Sequence, residues 1–274
     1  MHMSLRQNTR SLIAGLVGLV LMTTTAQAAP LSKADDGISD EFEFIAAPYL
    51  MFANLSGDFA IGQVGGPIDV GFGTIFDNLD FAFAADLEAR KGRWGVVVNG
   101  QYMKLSASSD IQTPGPILQP ILDASMAMFL LDSFVTWRTP LEAGWVDVFA
   151  GIRYTDFKTT LEFDPGLPLN PGLGAMHRVH PTWVSPIIGV RAAINLSEKW
   201  YVLLRGDIGG FGAGSDFTWS FNGGFGYSVS KSFDITLTFR YINDDYEEGT
   251  EGMPDYFEWD METYGGQLGL VFHW

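Results

Sequence analysis

The sequence predicts an all-β chain that closes on itself as an antiparallel, up-and-down transmembrane β-barrel. Three observations predict it. Apolar and polar residues alternate with period two through one segment after another, the mark of strands with two unlike faces. Most of these segments run roughly 12 to 17 residues, where strands of soluble proteins usually run about 5 or 6. The connections alternate in length, short at 91–93, 139–144, 196–199 and 229–232, long at 108–124, 163–181 and 244–257. Membrane barrels have this asymmetry, with short periplasmic turns and longer outer loops. A soluble β-sandwich would also alternate, but strand length and loop asymmetry argue against it.

Ten strands are expected, at roughly 41–56, 78–90, 94–108, 124–138, 145–162, 182–195, 200–210, 215–229, 233–246 and 257–274. The first has the weakest alternation, and Pro48 interrupts it, which suits an edge or a bulge. Residues 56–79, "SGDFAIGQVGGPIDVGFGTIFDNL", either extend the first hairpin outward or form a helical turn at "IFDNL", so eight or twelve strands are the alternatives. In the second strand Phe81, Phe83, Ala85 and Leu87 oppose Asp86 and Glu88; in the third Val96, Val98 and Tyr102 oppose Asn99 and Gln101. Phe129, Leu131 and Val135 then oppose Asp132, Thr136 and Arg138, and Val146, Val148, Ile152 and Tyr154 oppose Asp147 and Arg153. Val184, Ile188, Val190 and Ile194 face away from Ser185, Arg191 and Asn195; Val202, Leu204 and Ile208 face away from Arg205 and Asp207. "FTWSFNGGFGYSV" and "FDITLTFRY" alternate strictly, with aromatics on one parity and Thr, Ser, Asn, Gly, Asp and Arg on the other. The closing strand sets Tyr264, Leu268, Leu270, Phe272 and Trp274 against Thr263, Gln267 and His273. An even strand number places both ends of the barrel on the periplasmic side.

Composition agrees with a membrane barrel. Apolar residues make up 47 % of the 274-residue chain and charged residues only 18 %, with 32 glycines. There is no cysteine, hence no disulfide and no thiolate metal site. Residues 1–28 read as an export signal: Arg6 and Arg10, the short apolar core "SLIAGLVGLVLM", then an A-x-A pattern at Ala26 and Ala28. Removing them leaves 14 basic against 32 acidic residues, a net charge of −18, which speaks against nucleic acid as a partner. Residues 29–40 are expected to be a flexible periplasmic lead-in and 41–274 the barrel.

"EFEFIAAPYLMFANLSG" and "FDNLDFAFAADLEARKGRWGVVVNGQYMKLS" resemble small Gram-negative outer-membrane β-barrel proteins, a poorly characterised, porin-like or outer-membrane-protein-A-like group. Pro48, Tyr49 and Leu50, then Glu88 to Gly95, carry the likeness. It implies a multi-pass protein of the bacterial outer membrane. It also implies that Leu268, Leu270, Phe272 and Trp274 form the signal read by the barrel-assembly machinery. Outer-membrane lipid and lipopolysaccharide are the expected surroundings, and the chain is expected to be a monomer. The motifs are architectural and name no activity.

Lipid accepts no row of charges, so the polar parity must face the lumen. That face then holds Asp86, Glu88, Asp132, Asp147, Asp207 and Asp234 with Arg90, Arg153, Arg191, Arg205 and Arg240, either as mutually satisfied ion pairs or as the lining of a narrow pore. Ten strands lie near the size at which side chains fill the interior, so a general porin is excluded. His177 and His180, in "HRVH", sit in a long loop with Asp164 nearby, and metal ligation would need a third ligand in ordered geometry. No H-E-x-x-H, G-x-S-x-G or P-loop occurs. No cofactor is expected. The last long loop carries Asp244, Asp245, Glu247, Glu248, Glu251, Asp255, Glu258 and Asp260, a solvated acidic face or a divalent-cation site. The expected function is non-enzymatic: a structural envelope protein or a narrow channel for small solutes. A surface binding protein acting through acidic or apolar loops and a barrel-top hydrolase using a loop histidine are the alternatives.

Overall fold

The computed structural model describes residues 38–110, 121–164 and 175–274, so the expected export signal lies outside the described residues. One twelve-stranded antiparallel sheet dominates, and ten of its strands close into a barrel. In chain order these are β1 (Phe42–Ile61), β2 (Val64–Val70), β3 (Leu79–Lys91), β4 (Trp94–Asp110), β5 (Ile121–Leu141) and β6 (Gly144–Asp164). There follow β7 (Ala175–Val179), β8 (Thr182–Asn195), β9 (Trp200–Ala213), β10 (Ser215–Ser230), β11 (Phe233–Glu248) and β12 (Phe257–His273). The ring leaves out β2, which pairs only with β1, and β7, which pairs only with β6. β12 seals it by running antiparallel to β1, from Ile45 opposite His273 to Ile61 opposite Phe257. Both alternatives for residues 56–79 are realised together: the first hairpin extends outward through β2, and a single-turn helix α1 (Phe72–Asp77) follows.

The β3–β4, β5–β6, β8–β9 and β10–β11 turns are all short and lie at one end, with the start of β1 and the end of β12. In the β3–β4 turn Gly92 has φ 61°, a left-handed conformation that explains glycine there. The wall between the two ends is inverted relative to a soluble protein. Leu87, Val96, Val148, Ile188, Val190 and Leu237 are about half exposed or more, while Asp132, Asp147 and Arg153 are 0 % exposed inside. In water such a belt would be an unprotected apolar surface; in hydrocarbon it is the stable arrangement.

Aromatic rows bound the belt. At the turn end Trp94 packs edge-on to Trp137, ring centres 4.7 Å apart, Trp200 meets Tyr227 at 4.9 Å, and Phe44 stacks on Trp274. At the loop end the row runs Trp219, Tyr241, Tyr264. Rings with a polar tip favour the membrane–water interface at both levels. Beyond the loop-end row the polarity of the strands reverses. Phe257, Trp259 and Met261 point inward on β12 and are buried, and the alternate residues are Glu258, Asp260 and Glu262. Outside the membrane the barrel has the apolar-in, polar-out order of a soluble protein.

Candidate functional site in the lumen

Two tiers fill the barrel interior. The first is ionic and consists of two clusters, each with three arginines and two acids. Nearer the turns, Asp147 accepts hydrogen bonds from Arg90 (2.8 Å), Arg138 (2.9 Å) and Arg191 (2.9 Å). Glu88 accepts from Arg90 and Arg191, each at 2.8 Å. Above it Asp132 accepts from Arg153 (2.9 Å) and Arg205 (2.8 Å), with Arg240 at 3.4 Å. Asp207 takes Arg153 and Arg205, each at 3.0 Å, and the Ser220 hydroxyl at 2.6 Å. These side chains meet because they occupy the same parity on neighbouring strands: Asp132 lies opposite Arg153, Arg138 opposite Asp147, and Asp147 opposite Arg191. Buried charges survive only where each is paired and hydrogen-bonded.

Asp86 and Asp234 are inward-facing too, with other partners. Asp86 accepts from the Asn99 amide at 2.8 Å, with no arginine bonded to it among the described residues. Asp234 receives the Tyr201 hydroxyl at 2.9 Å and pairs with His273 at 3.1 Å. Arg138 belongs to the lower cluster; the Thr136 hydroxyl accepts from Arg90 in that cluster and the Thr218 hydroxyl from Arg153 in the upper one.

The loop-end tier is apolar. Phe157, Trp183, Phe257, Trp259 and Met261 form its buried centre, with Phe59 edge-on to the first, third and fourth of these rings. Among the described residues, two cavities bear on the lumen. One, of about 210 Å³, lies on the turn side of the lumen among Val97, Phe134, Trp145, Tyr201, Arg191, Arg205 and Arg240. The other, of about 220 Å³, lies on the loop side. Tyr49 lines both, and its hydroxyl accepts from Asn99 (3.0 Å) and Arg240 (3.3 Å), so a bonded side chain separates them.

The loop-side cavity is lined by residues of both faces of the wall. Met51, Met103, Met128, Leu130 and Met261 face inward; Leu50, Phe52, Phe76 and Phe83 face outward. A gap between β1 and β3 accounts for this. The two strands pair from Phe42 opposite Lys91 to Pro48 opposite Ala85 and no further. Pro48 offers no N–H to a ladder, and pairing to β12 also lapses at residues 47 and 48. Beyond it β1 follows β12, β3 follows β4, and β1 regains a partner on the β3 side only at Leu55, where β2 folds back. Helix α1 roofs the gap: Asn54 Oδ1 accepts from Phe72 N (2.9 Å), and Asn78 O accepts from Ser106 N (3.0 Å). Asn54 lies opposite Tyr264 of the loop-end aromatic row, so the gap spans the loop-side half of the membrane belt.

Other candidates are placed differently. His180 Nε2 lies 2.9 Å from Asp156, which also pairs with Lys158 at 3.0 Å, on the exposed outside of β6. The sequence shows no acid tied to either histidine; the pair arises because Asp156 sits opposite Thr182 across β6 and β8. No serine is hydrogen-bonded to His180 among the described residues, and the side chains of His177 and Asp164 lie outside them. The acids of the last loop divide between faces: Asp244 is buried inward, whereas Asp245, Glu247 and Glu258 belong to the outer parity. Burial first, then the like charges of Glu247 and Asp58, raise the Glu258 carboxyl above its ordinary range; it stands beyond the aromatic row, outside the membrane. No group of three or more acids or histidines converges on a metal-sized site among the described residues. Leu268, Leu270 and Trp274 face outward and are 39 %, 39 % and 46 % exposed; Phe272 shares their parity and packs on Phe233.

Sequence reasoning missed Tyr49, the methionines and Asp244 as one constellation. Met126 and Met128 do alternate visibly, but nothing in a sequence shows a gap between strands. No family model and no curated protein matches the chain. Among solved structures it is similar to the transport unit of the autotransporter AIDA-I from Escherichia coli, at 10 % identity and a TM-score of 0.43, with 97 % of each chain covered. It is also similar to the translocator domain of autotransporter NalP from Neisseria meningitidis, at 11 % identity and 0.42, covering 97 % of this chain and 95 % of that one. For Ail, the attachment invasion locus protein of Yersinia pestis, identity is 11 % and the TM-score 0.33, with 86 % and 99 % covered.

Proposed function

We propose that this chain is a non-enzymatic integral protein of the bacterial outer membrane that takes small apolar molecules from the outer leaflet, through the β1–β3 gap, into the methionine-lined cavity. The observation that carries the reading is one cavity lined by lumen-facing Met51, Met103 and Met128 and by lipid-facing Phe52 and Phe83. Methionine suits such a role, since its unbranched, polarisable side chain packs against ligands of several shapes. Axial flow of polar solutes is disfavoured. The ionic tier and the aromatic tier lie across the lumen, and Tyr49 stands between the two cavities. On this reading the loop end faces outward amid lipopolysaccharide, the barrel is a monomer, and Leu268, Leu270, Phe272 and Trp274 present the assembly signal.

Quenching of Trp259, which lines the cavity and is 2 % exposed, tests the reading. Refolded protein is titrated with 1-bromooctane, and the Trp259→Phe variant is subtracted to remove quenching of the lipid-facing tryptophans. Saturable quenching that disappears in Ala53→Phe, which fills the cavity, is expected. Quenching that only follows partition into the micelle would refute it. Planar-bilayer recordings are expected to show no stepwise conductance, and regular steps would overturn the closed lumen.

A further inference from the structure

The turn-side cavity is charged unevenly across its width. Arg191 of β8 and Arg205 of β9 line one wall and lie directly opposite each other across the two strands, an arrangement that like charges do not favour. Each commits Nε and Nη2 to acids, Arg191 to Asp147 and Glu88, Arg205 to Asp207 and Asp132. The Nη1 of each has no hydrogen-bond partner among the described residues and is not enclosed by protein. Their side chains are 14 % and 16 % exposed, against 0 to 4 % for Arg90, Arg138, Arg153 and Arg240. Both guanidinium groups lie over the Phe134 ring. Across the lumen stands Asp86, on β3, five places from β9 round the ten-strand ring and so diametrically opposite it. It is half-buried; its Oδ1 accepts from Asn99, while Oδ2 has no partner among the described residues and is also open to the cavity.

We propose that this cavity binds a short ω-amino acid, its carboxylate bridging the open Nη1 groups of Arg191 and Arg205 and its ammonium facing Asp86. Guanidinium N–H groups bind carboxylates strongly and directionally. An anion alone would leave Asp86 without a donor, and a cation alone would leave the arginine wall unmatched. An α-amino acid carries both charges at one end and cannot serve opposite walls. Ala47, Val97 and Phe134 also line the cavity, so a methylene spacer meets apolar side chains. Size agrees: a cavity of about 150 Å³ accepts benzene, and about 210 Å³ takes a chain of about four or five carbons. Tyr49 closes the loop side, so the ligand enters from the turn end, and this site stands or falls independently of the side entry of apolar molecules.

Isothermal titration calorimetry of the refolded full chain in detergent micelles tests the assignment, with 4-aminobutyrate, its isomer 2-aminobutyrate, butyrate and butylamine as probes. These probes are polar enough to stay out of the micelle interior. Saturable binding of one 4-aminobutyrate per barrel is expected, at least tenfold tighter than that of each of the other three. Asp86→Asn keeps the shape and the bond from Asn99, and is expected to cost 4-aminobutyrate at least tenfold while leaving butyrate no weaker. Ala47→Leu fills the cavity without touching a charge and is expected to abolish binding. Both variants are checked for folding by heat-modifiable gel mobility. Equal affinity for the two isomers, an unchanged affinity in Asp86→Asn, or binding that survives Ala47→Leu would overturn the proposal. So would the absence of saturable heat with 4-aminobutyrate.

Discussion

Replacing Asp147 by asparagine should be among the most damaging single changes in the barrel. The carboxylate is 0 % exposed and holds three guanidinium groups at 2.8 to 2.9 Å. Glu88 can still serve Arg90 and Arg191, but it makes no hydrogen bond to Arg138. Arg138 would lose its only acid partner, keeping at most a bond to the amide oxygen and its stacking on the Trp145 ring, 3.7 Å from the ring centre. Removing one partner of a buried ionic group costs about 3–5 kcal/mol, because the uncompensated charge stays buried. Three cations around one remaining acid place Asp147→Asn at the upper end. Arg153→Met should cost about 3 kcal/mol, the lower end, because Asp132 keeps Arg205 and Arg240, and Asp207 keeps Arg205 and Ser220. Urea titration of barrels refolded in lipid vesicles, followed by tryptophan fluorescence and gel mobility, measures both. Lys104→Ala, which breaks a pair exposed at 47 % and 40 %, is the control and should leave the midpoint unchanged. A loss below about 1 kcal/mol for Asp147→Asn would mean that the tier is hydrated or mobile and would refute the reasoning.

Leu237 is 62 % exposed midway along the belt on β11, and Leu237→Arg should cost about 2–4 kcal/mol in the same titration. Gly226 faces the Tyr201 ring so closely that a methyl would overlap it, so Gly226→Ala should cost about 1–3 kcal/mol and disturb the hydroxyl bond to Asp234. Glu258 lies opposite Glu247 across β11 and β12, and its raised folded pKa means that the folded chain binds more protons than the unfolded one. Its contribution is therefore most favourable below the ordinary glutamate range and is lost as pH rises through the raised value. Glu258→Gln should stabilise the barrel by a few tenths of a kcal/mol at pH 7, allowing for solvent screening, and by nothing at pH 3, as paired titrations would show.

Legibility followed the membrane. Within the belt the inner and outer environments differ most, so β10 and β11 announced themselves by strict alternation from Phe217 to Tyr241. The first strand was faint because it is apolar on both faces. Leu50 and Phe52 meet lipid, while Met51, Ala53 and Leu55 line the cavity and the aromatic tier. Strand ends ran past the expected limits, β1 to Ile61 and β5 to Leu141, because ladders continue beyond the membrane where no lipid enforces a pattern. The acidic run of the last loop read as one charged face, yet β11 continues through it to Glu248, and its alternation buries Asp244 inside and leaves Asp245 outside.

By itself the sequence determined a ten-stranded wall with charges turned inward, since period-two alternation follows directly from the strand's own geometry and from the cost of charge in lipid. Which acid meets which arginine was decided by the register of strands far apart in the chain, as in the pairing of Arg191 with Glu88. The gap above Pro48 and the burial of Asp244 were likewise decided by tertiary structure. A strand records its own two faces, but where its neighbour leaves it is a property of the pair.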